Sequence, residues 1–184
     1  MKRVLLTTML AGVLCPAAIS SADLLGVEAE FPLLGYDQPG TMAYELESKL
    51  LSLDATPETL QFTAEEPICL VEGVGDSKQR VVSIRGYIDH NGQIISGVDG
   101  PDLLIMGQVD EDGDGVPEYA GVLLTGELMA FGYKDRGLLT APESPDSSNL
   151  FPPVKDDFEF AFEVTGGELA PHYAGEFFAV IVEA

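Results

Sequence analysis

The sequence predicts an all-β protein, an antiparallel two-sheet sandwich of jelly-roll type with about nine or ten strands and little helix. Three observations predict it. Several segments alternate apolar and polar residues with a period of two, turn signals recur between them, and no segment beyond the first 22 residues shows a convincing amphipathic helical pattern.

The chain opens on "MKRVLLTTMLAGVLCPAAISSADLL", in which Lys2 and Arg3 precede an apolar run that ends in small residues. This is the pattern of a secretory leader, residues 1–22, cut after Ala22. The run is short for a bilayer span and is interrupted by Pro16, Ser20 and Ser21. Cys15 would suit lipid attachment if a small residue preceded it, but Leu14 stands there. Residues 23–184 are then expected as a single exported domain, secreted or held at the cell surface, with the periplasm as the other compartment such a leader reaches. No membrane association is expected once the leader is gone.

Along that domain, "TMAYELES" turns Met42, Tyr44 and Leu46 to one face and Glu45 and Glu47 to the other. "ETLQFTA" sets Leu60 and Phe62 against Thr59, Gln61 and Thr63, and "RVVSIRGYID" sets Val82, Ile84 and Ile88 against Ser83, Arg85 and Tyr87. "DFEFAFEV" points Phe158, Phe160, Phe162 and Val164 inward and leaves Asp157, Glu159 and Glu163 to water. Other stretches, "DLLIMGQV", "AGVLLTGELMAFGY" and "GEFFAVIVEA", are apolar on both faces and are expected centrally or under a covering loop. Turns are expected at "DQPG", at Asn91-Gly92 as a tight hairpin because both residues tolerate positive φ, at "GVDGPD" and at "TGGE"; "ELAPHYAG" fits one helical turn. Residues 134–156, with Pro142, Pro145, Pro152 and Pro153 among serines, read as a long loop.

The formal charge is −22. Loss of Lys2 and Arg3 with the leader leaves seven basic residues against 31 acidic ones, a charge of −24. Such a surface repels nucleic acid and anionic membranes and favours solubility and cations. Of the two cysteines only Cys69 survives cleavage, in the apolar run "PICLVEGV", where a buried free thiol is expected.

One loop suggests a ligand. In "VDEDGDGVPEY", Asp110, Asp112 and Asp114 alternate, Gly115 follows, and Val116 and Glu118 stand two and four residues beyond Asp114. Calcium takes roughly six to eight oxygens around a compact centre, and alternate carboxylates on a sharply curled loop supply them. Asp110, Asp112, Asp114, the Val116 carbonyl and Glu118 are therefore the candidate metal ligands, with calcium as a structural ion. The bidentate glutamate of an EF-hand is missing, since Gly121 occupies its place, and the flanks read as strands. The loop resembles the DxDxDG calcium sites of dockerin-like and other extracellular proteins, carried on a hairpin. The alternative is a solvated acidic turn.

Catalytic motifs are scarce. His90 and His172 are the only histidines, neither beside a nucleophile motif, and no G-x-S-x-G or H-E-x-x-H occurs. No catalytic residue is assigned, and a secreted hydrolase working through a carboxylate pair is the weakest of the alternatives. Carbohydrate recognition would need exposed aromatic platforms; the chain has no tryptophan, which leaves Tyr36, Tyr87, Tyr119, Tyr133 and Tyr173 as candidates.

At "FPLLGYD", "GPDLLIMGQVDEDGDGVPEYAGVLLTGELMAFGY" and "FEFAFEVTGGELAPHYAGEFFAVIV" the sequence resembles a group of secreted bacterial proteins, many of which end in a PEP-CTERM exosortase sorting signal. The block Gly121 to Gly132 and the turn Thr165-Gly166-Gly167 carry the resemblance most specifically. It implies an exported β-rich component of the cell surface or extracellular matrix in aquatic, biofilm-forming or polysaccharide-producing bacteria. It supplies no catalytic residues. The closing "AVIVEA" carries no Pro-Glu-Pro motif, apolar anchor or basic end, so free secretion or capture by other surface components is expected in place of exosortase anchoring. The resulting expectation is a non-enzymatic surface or matrix protein, with an extracellular polysaccharide-binding module as the alternative. Self-association through the apolar strand "FFAVIVEA" is a further expectation where that strand lies at a sheet edge.

Overall fold

The computed structural model describes residues 4–8, 25, 32–66, 68–75, 79–134, 157–173 and 177–183. These include ten strands: β1 (Val4–Thr8), β2 (Leu33–Glu45), β3 (Leu50–Gln61), β4 (Cys69–Glu72), β5 (Val81–Ile88), β6 (Ile94–Ser96), β7 (Leu103–Val109), β8 (Tyr119–Lys134), β9 (Asp157–Gly166) and β10 (Phe177–Glu183). A 3-10 turn, Ala170–Tyr173, is the only helical element among the described residues. The all-β class and the strand number agree with the sequence reading.

All ten strands belong to one hydrogen-bonded sheet, so the bonding does not divide them into the two sheets of the expected sandwich. β3 pairs with β5 over Leu50–Ala55 and with β4 at Thr59 and Leu60. β7 meets the same two strands from the other side, β5 through Leu103–Met106 and β4 through Gln108 and Val109. β4 and β5 thus lie end to end in one lane, and the four pairings close into a small ring. The chain leaves the lane after Glu72 and returns at Val81 through an excursion bridged at Val74 and Gln79. β8, β9 and β10 follow β7 as antiparallel neighbours, and β1 runs parallel to β10 at the far edge, where it also comes back against β2.

The sheet therefore curls until its inner face packs on itself. One apolar cluster runs from Leu34 and Tyr36 on β2 through Leu53, Ile84, Ile105 and Leu123 to Phe178 and Val180 on β10. A curled sheet buries an apolar face without a second sheet to cover it. β5 shows the predicted alternation, with Val82, Ile84 and Ile88 buried. Leu60, Phe62, Phe160 and Phe162 are buried as expected too.

The doubly apolar look of β8 has a specific cause. Its pairing with β7 skips from Leu124 to Val122, so Leu123 is an extra residue and both Leu123 and Leu124 are buried. A second skip against β9, from Leu128 to Ala130, leaves Met129 exposed. These are β-bulges, which reset the alternation part-way along a strand. β10 is apolar on both faces because a small outer cluster, Ala179 and Ile181 packed with Leu25 and Leu33, lies behind the main core.

Several local expectations are corrected. "DQPG" is not a turn but an irregularity inside β2, where the pairing shifts between Asp37 and Thr41. Leu46 falls in the β2–β3 turn and is 80 % exposed, and Tyr44 is also exposed. The β5–β6 hairpin has only Gly92 at positive φ, not Asn91, because Asp89 and Gln93 close a longer loop through Asp89 N–H and the Gln93 carbonyl. Glu159, expected in water, is fully buried and accepts the Leu25 N–H at 2.7 Å. The cleavage site after Ala22 and almost all of the 134–156 loop lie outside the described residues; within the leader, the described stretch is β1.

Candidate metal centre

β7 ends at Val109 and β8 begins opposite it at Tyr119, so residues 110–118 form the loop of a long hairpin. The loop curls because its glycines take left-handed φ values, Gly113 at 73° and Gly115 at 89°, which side chains rarely adopt. Its carboxylates hold the curl. Asp110 accepts the N–H groups of Gly113 and Gly115, one on each oxygen and both at 2.7 Å. Asp112 Oδ1 accepts Asp114 N–H at 3.0 Å, and Asp114 Oδ1 accepts Val116 N–H at 2.8 Å. Glu118 Oε2 reaches across the loop to Glu111 N–H at 2.6 Å.

The outcome is convergence. One oxygen from each of Asp110, Asp112, Asp114 and Glu118 lies within 4.8 Å of the others. The structure thus brings together all four predicted carboxylates. Val116 is exposed, with its N–H on Asp114. Each pair of like charges at this spacing costs roughly 1 kcal/mol in water and more at a protein surface. A divalent cation at the centre would reverse the sign of that contribution.

Glu111, which sequence reasoning passed over, helps to tie the loop down. Glu111, at an even position in the acidic alternation, directs its carbonyl at the Cys69 thiol, 3.9 Å away, and its carboxylate at the Tyr119 hydroxyl, 3.5 Å away. The Tyr119 hydroxyl also lies 3.0 Å from His172 Nε2, and both rings pack on Phe62, with centroids 5.6 and 5.1 Å away. No local pattern could have revealed this, since Phe62, Tyr119 and His172 come from β3, β8 and the 3-10 turn. Burial, then the charges of Glu111 and Asp110, push the Cys69 thiol up, so it stays protonated at neutral pH and is not an activated nucleophile. Burial followed by Glu111 pushes the Tyr119 phenol up in the same way. Cys69 is buried and, among the described residues, in no disulfide, as the sequence reading expects.

The tyrosines proposed as platforms divide. Tyr36 and Tyr173 are core residues, and Tyr119 belongs to the cluster on Phe62. Tyr87 is half-buried on β5, and Tyr133 is exposed near the end of β8. His90 is exposed in the β5–β6 hairpin. Comparison of the chain with protein-family models, curated proteins and solved structures finds no match.

Proposed function

We propose that the protein is an exported, non-enzymatic component of the cell surface or extracellular matrix, stabilised by calcium at the β7–β8 loop. The observation that carries this reading is the convergence of Asp110, Asp112, Asp114 and Glu118 within 4.8 Å on a loop that its own backbone hydrogen bonds hold curled. A hard oxygen-only ligand set suits calcium over zinc or copper, which take nitrogen and sulfur donors. The four carboxylates also accept N–H groups of the loop, and the place of the EF-hand's bidentate glutamate is held by Gly121, so the affinity is expected in the weak range of extracellular modules, roughly 0.1 to 1 mM. Export is supported by the pattern of residues 1–22, and the negative charge of −22 suits an environment rich in divalent cations.

The ion's task is structural. It would lock the end of the β7–β8 hairpin onto Cys69 of β4 and, through Tyr119, onto His172. Equilibrium dialysis against calcium tests the site: one ion per chain is expected, lost in Asp112→Asn. Calcium uptake that matches in wild type and variant would reduce the loop to an acidic turn. N-terminal sequencing of protein recovered from a bacterial culture medium tests export, with Asp23 as the expected first residue.

A further inference from the structure

The end of the sheet opposite the acidic loop holds a cavity of about 530 Å³. That is within the range of pockets that take small molecules, roughly 300 to 1,000 Å³. The core residues Leu51 and Ile88 line it, together with the half-buried Phe131 and Phe158. Tyr44 from β2 and Tyr133 from β8 complete the wall and remain 40 % and 48 % exposed. These are the two most exposed large aromatic side chains among the described residues, and both face one cavity.

The polar groups at its rim come from the β5–β6 turn, Asp89 to Gly92. Most of their bonding is internal. Asp89 Oδ1 accepts the N–H groups of Asn91 and Gln93, both at 2.8 Å, and Oδ2 accepts from the Asn91 amide at 3.4 Å. The Tyr44 hydroxyl donates to the Ile88 carbonyl at 2.9 Å. A ligand covered with hydroxyls would lose water here and find few partners in exchange, at a cost for each unsatisfied group. An anion would meet the Asp89 carboxylate and a chain of charge −22. Gly92, at φ 80°, places no side chain over the ring of Phe131, so the cavity stays open on the turn side.

We propose that this cavity binds a small uncharged molecule with an apolar body, an aromatic ring or short acyl chain, and one polar group. The body lies on Leu51 and Ile88 between Tyr44 and Tyr133, and the polar group points to the His90–Asn91 side of the rim. The inference stands apart from the calcium reading, because the two sites occupy opposite ends of the sheet and share no residue.

The test is a fluorescence titration of the full chain with N-phenyl-1-naphthylamine, an uncharged probe that brightens in apolar surroundings. Saturable brightening is expected, with displacement by 1-octanol and not by glucose or cellobiose. Tyr44→Ala and Tyr133→Ala should each weaken probe binding roughly tenfold, while Met129→Ala, on an exposed bulge outside the cavity, leaves it unchanged. No saturable signal, or binding as tight in both tyrosine variants as in the wild type, overturns the proposal. Displacement by a neutral sugar and not by the alcohol overturns the ligand class and makes the cavity a saccharide site. The competition arm needs only wild-type protein, so it decides the matter even where a variant does not fold.

Discussion

Asp102 and Leu128 are joined by a buried hydrogen bond, Leu128 N–H to Asp102 Oδ2 at 2.8 Å, across a separation of 26 residues. The other carboxylate oxygen of Asp102 accepts Val98 N–H at 2.7 Å, and its backbone carbonyl accepts Arg85 N–H. One side chain, 2 % exposed, thus fastens the loop after β6 to the bulge of β8. Because both oxygens accept from N–H groups, an amide cannot replace the carboxylate without setting NH₂ against N–H. Asp102→Asn should cost about 2 to 3 kcal/mol in urea unfolding.

Gly167 predicts a second loss. Its φ is 104°, and a Cβ there would lie 2.5 Å from the Leu123 carbonyl oxygen and 2.6 Å from its carbon. The obstacle is backbone, in the bulge of β8, so it has little freedom to move aside. Gly167→Ala should destabilise by more than about 2 kcal/mol, whereas Gly100→Ala, also at positive φ but with open space around it, should cost less. Chemical unfolding of the two variants side by side checks the difference.

Calcium linkage predicts a specific magnitude. With a dissociation constant of about 1 mM, 10 mM calcium stabilises the folded chain by about 1.4 kcal/mol. That is a rise in Tm of roughly 3 to 5 °C for a domain of this size. A thermal scan in chelator and then in rising calcium should show saturation, and Asp112→Asn should abolish the rise. An equal rise in the variant would mean charge screening.

Glu127 carries a pH prediction. It is exposed and lies opposite Glu163 in the β8–β9 register, and partial loss of solvent, then the charges of Asp102 and Glu163, push its carboxyl up. A carboxyl raised in the folded state holds its proton more tightly there than in the unfolded chain. Its ionised form therefore opposes folding at neutral pH, and the penalty is relieved as pH falls through the folded pKa. Glu127→Gln should raise Tm at pH 7, and the advantage should vanish below about pH 4, where the group is protonated in both states. Thermal scans across pH decide it; a constant difference at all pH values would refute the electrostatic origin.

What could be read from sequence was what neighbours along the chain decide. Val82, Ile84 and Ile88 alternate into the core because nothing interrupts β5, and the acidic loop assembles because its ligands lie within nine residues. What could not be read depends on distant partners. Leu123 beside Leu124 gave no hint of a bulge until β7 was placed opposite. Glu159 looked like a surface acid because Leu25, which covers it, lies 134 residues away. Tyr44 alternates with Met42 as a core residue should, yet the cavity at the end of the sheet leaves it open to solvent. The single curled sheet follows from pairings such as β3 with β5 and β1 with β10, which no local period encodes.

The edge strand β1 has a consequence in time. Val4 pairs with Phe177, so the first strand of the sheet waits for one of the last before it finds a partner. Contacts so far apart along a chain form slowly. If residues 1–22 are an export address, that delay keeps the address readable: a nascent chain shows it to the export machinery during the whole interval before β10 exists. A precursor that stayed behind and completed its sheet would instead shelve its own label along the edge of β10.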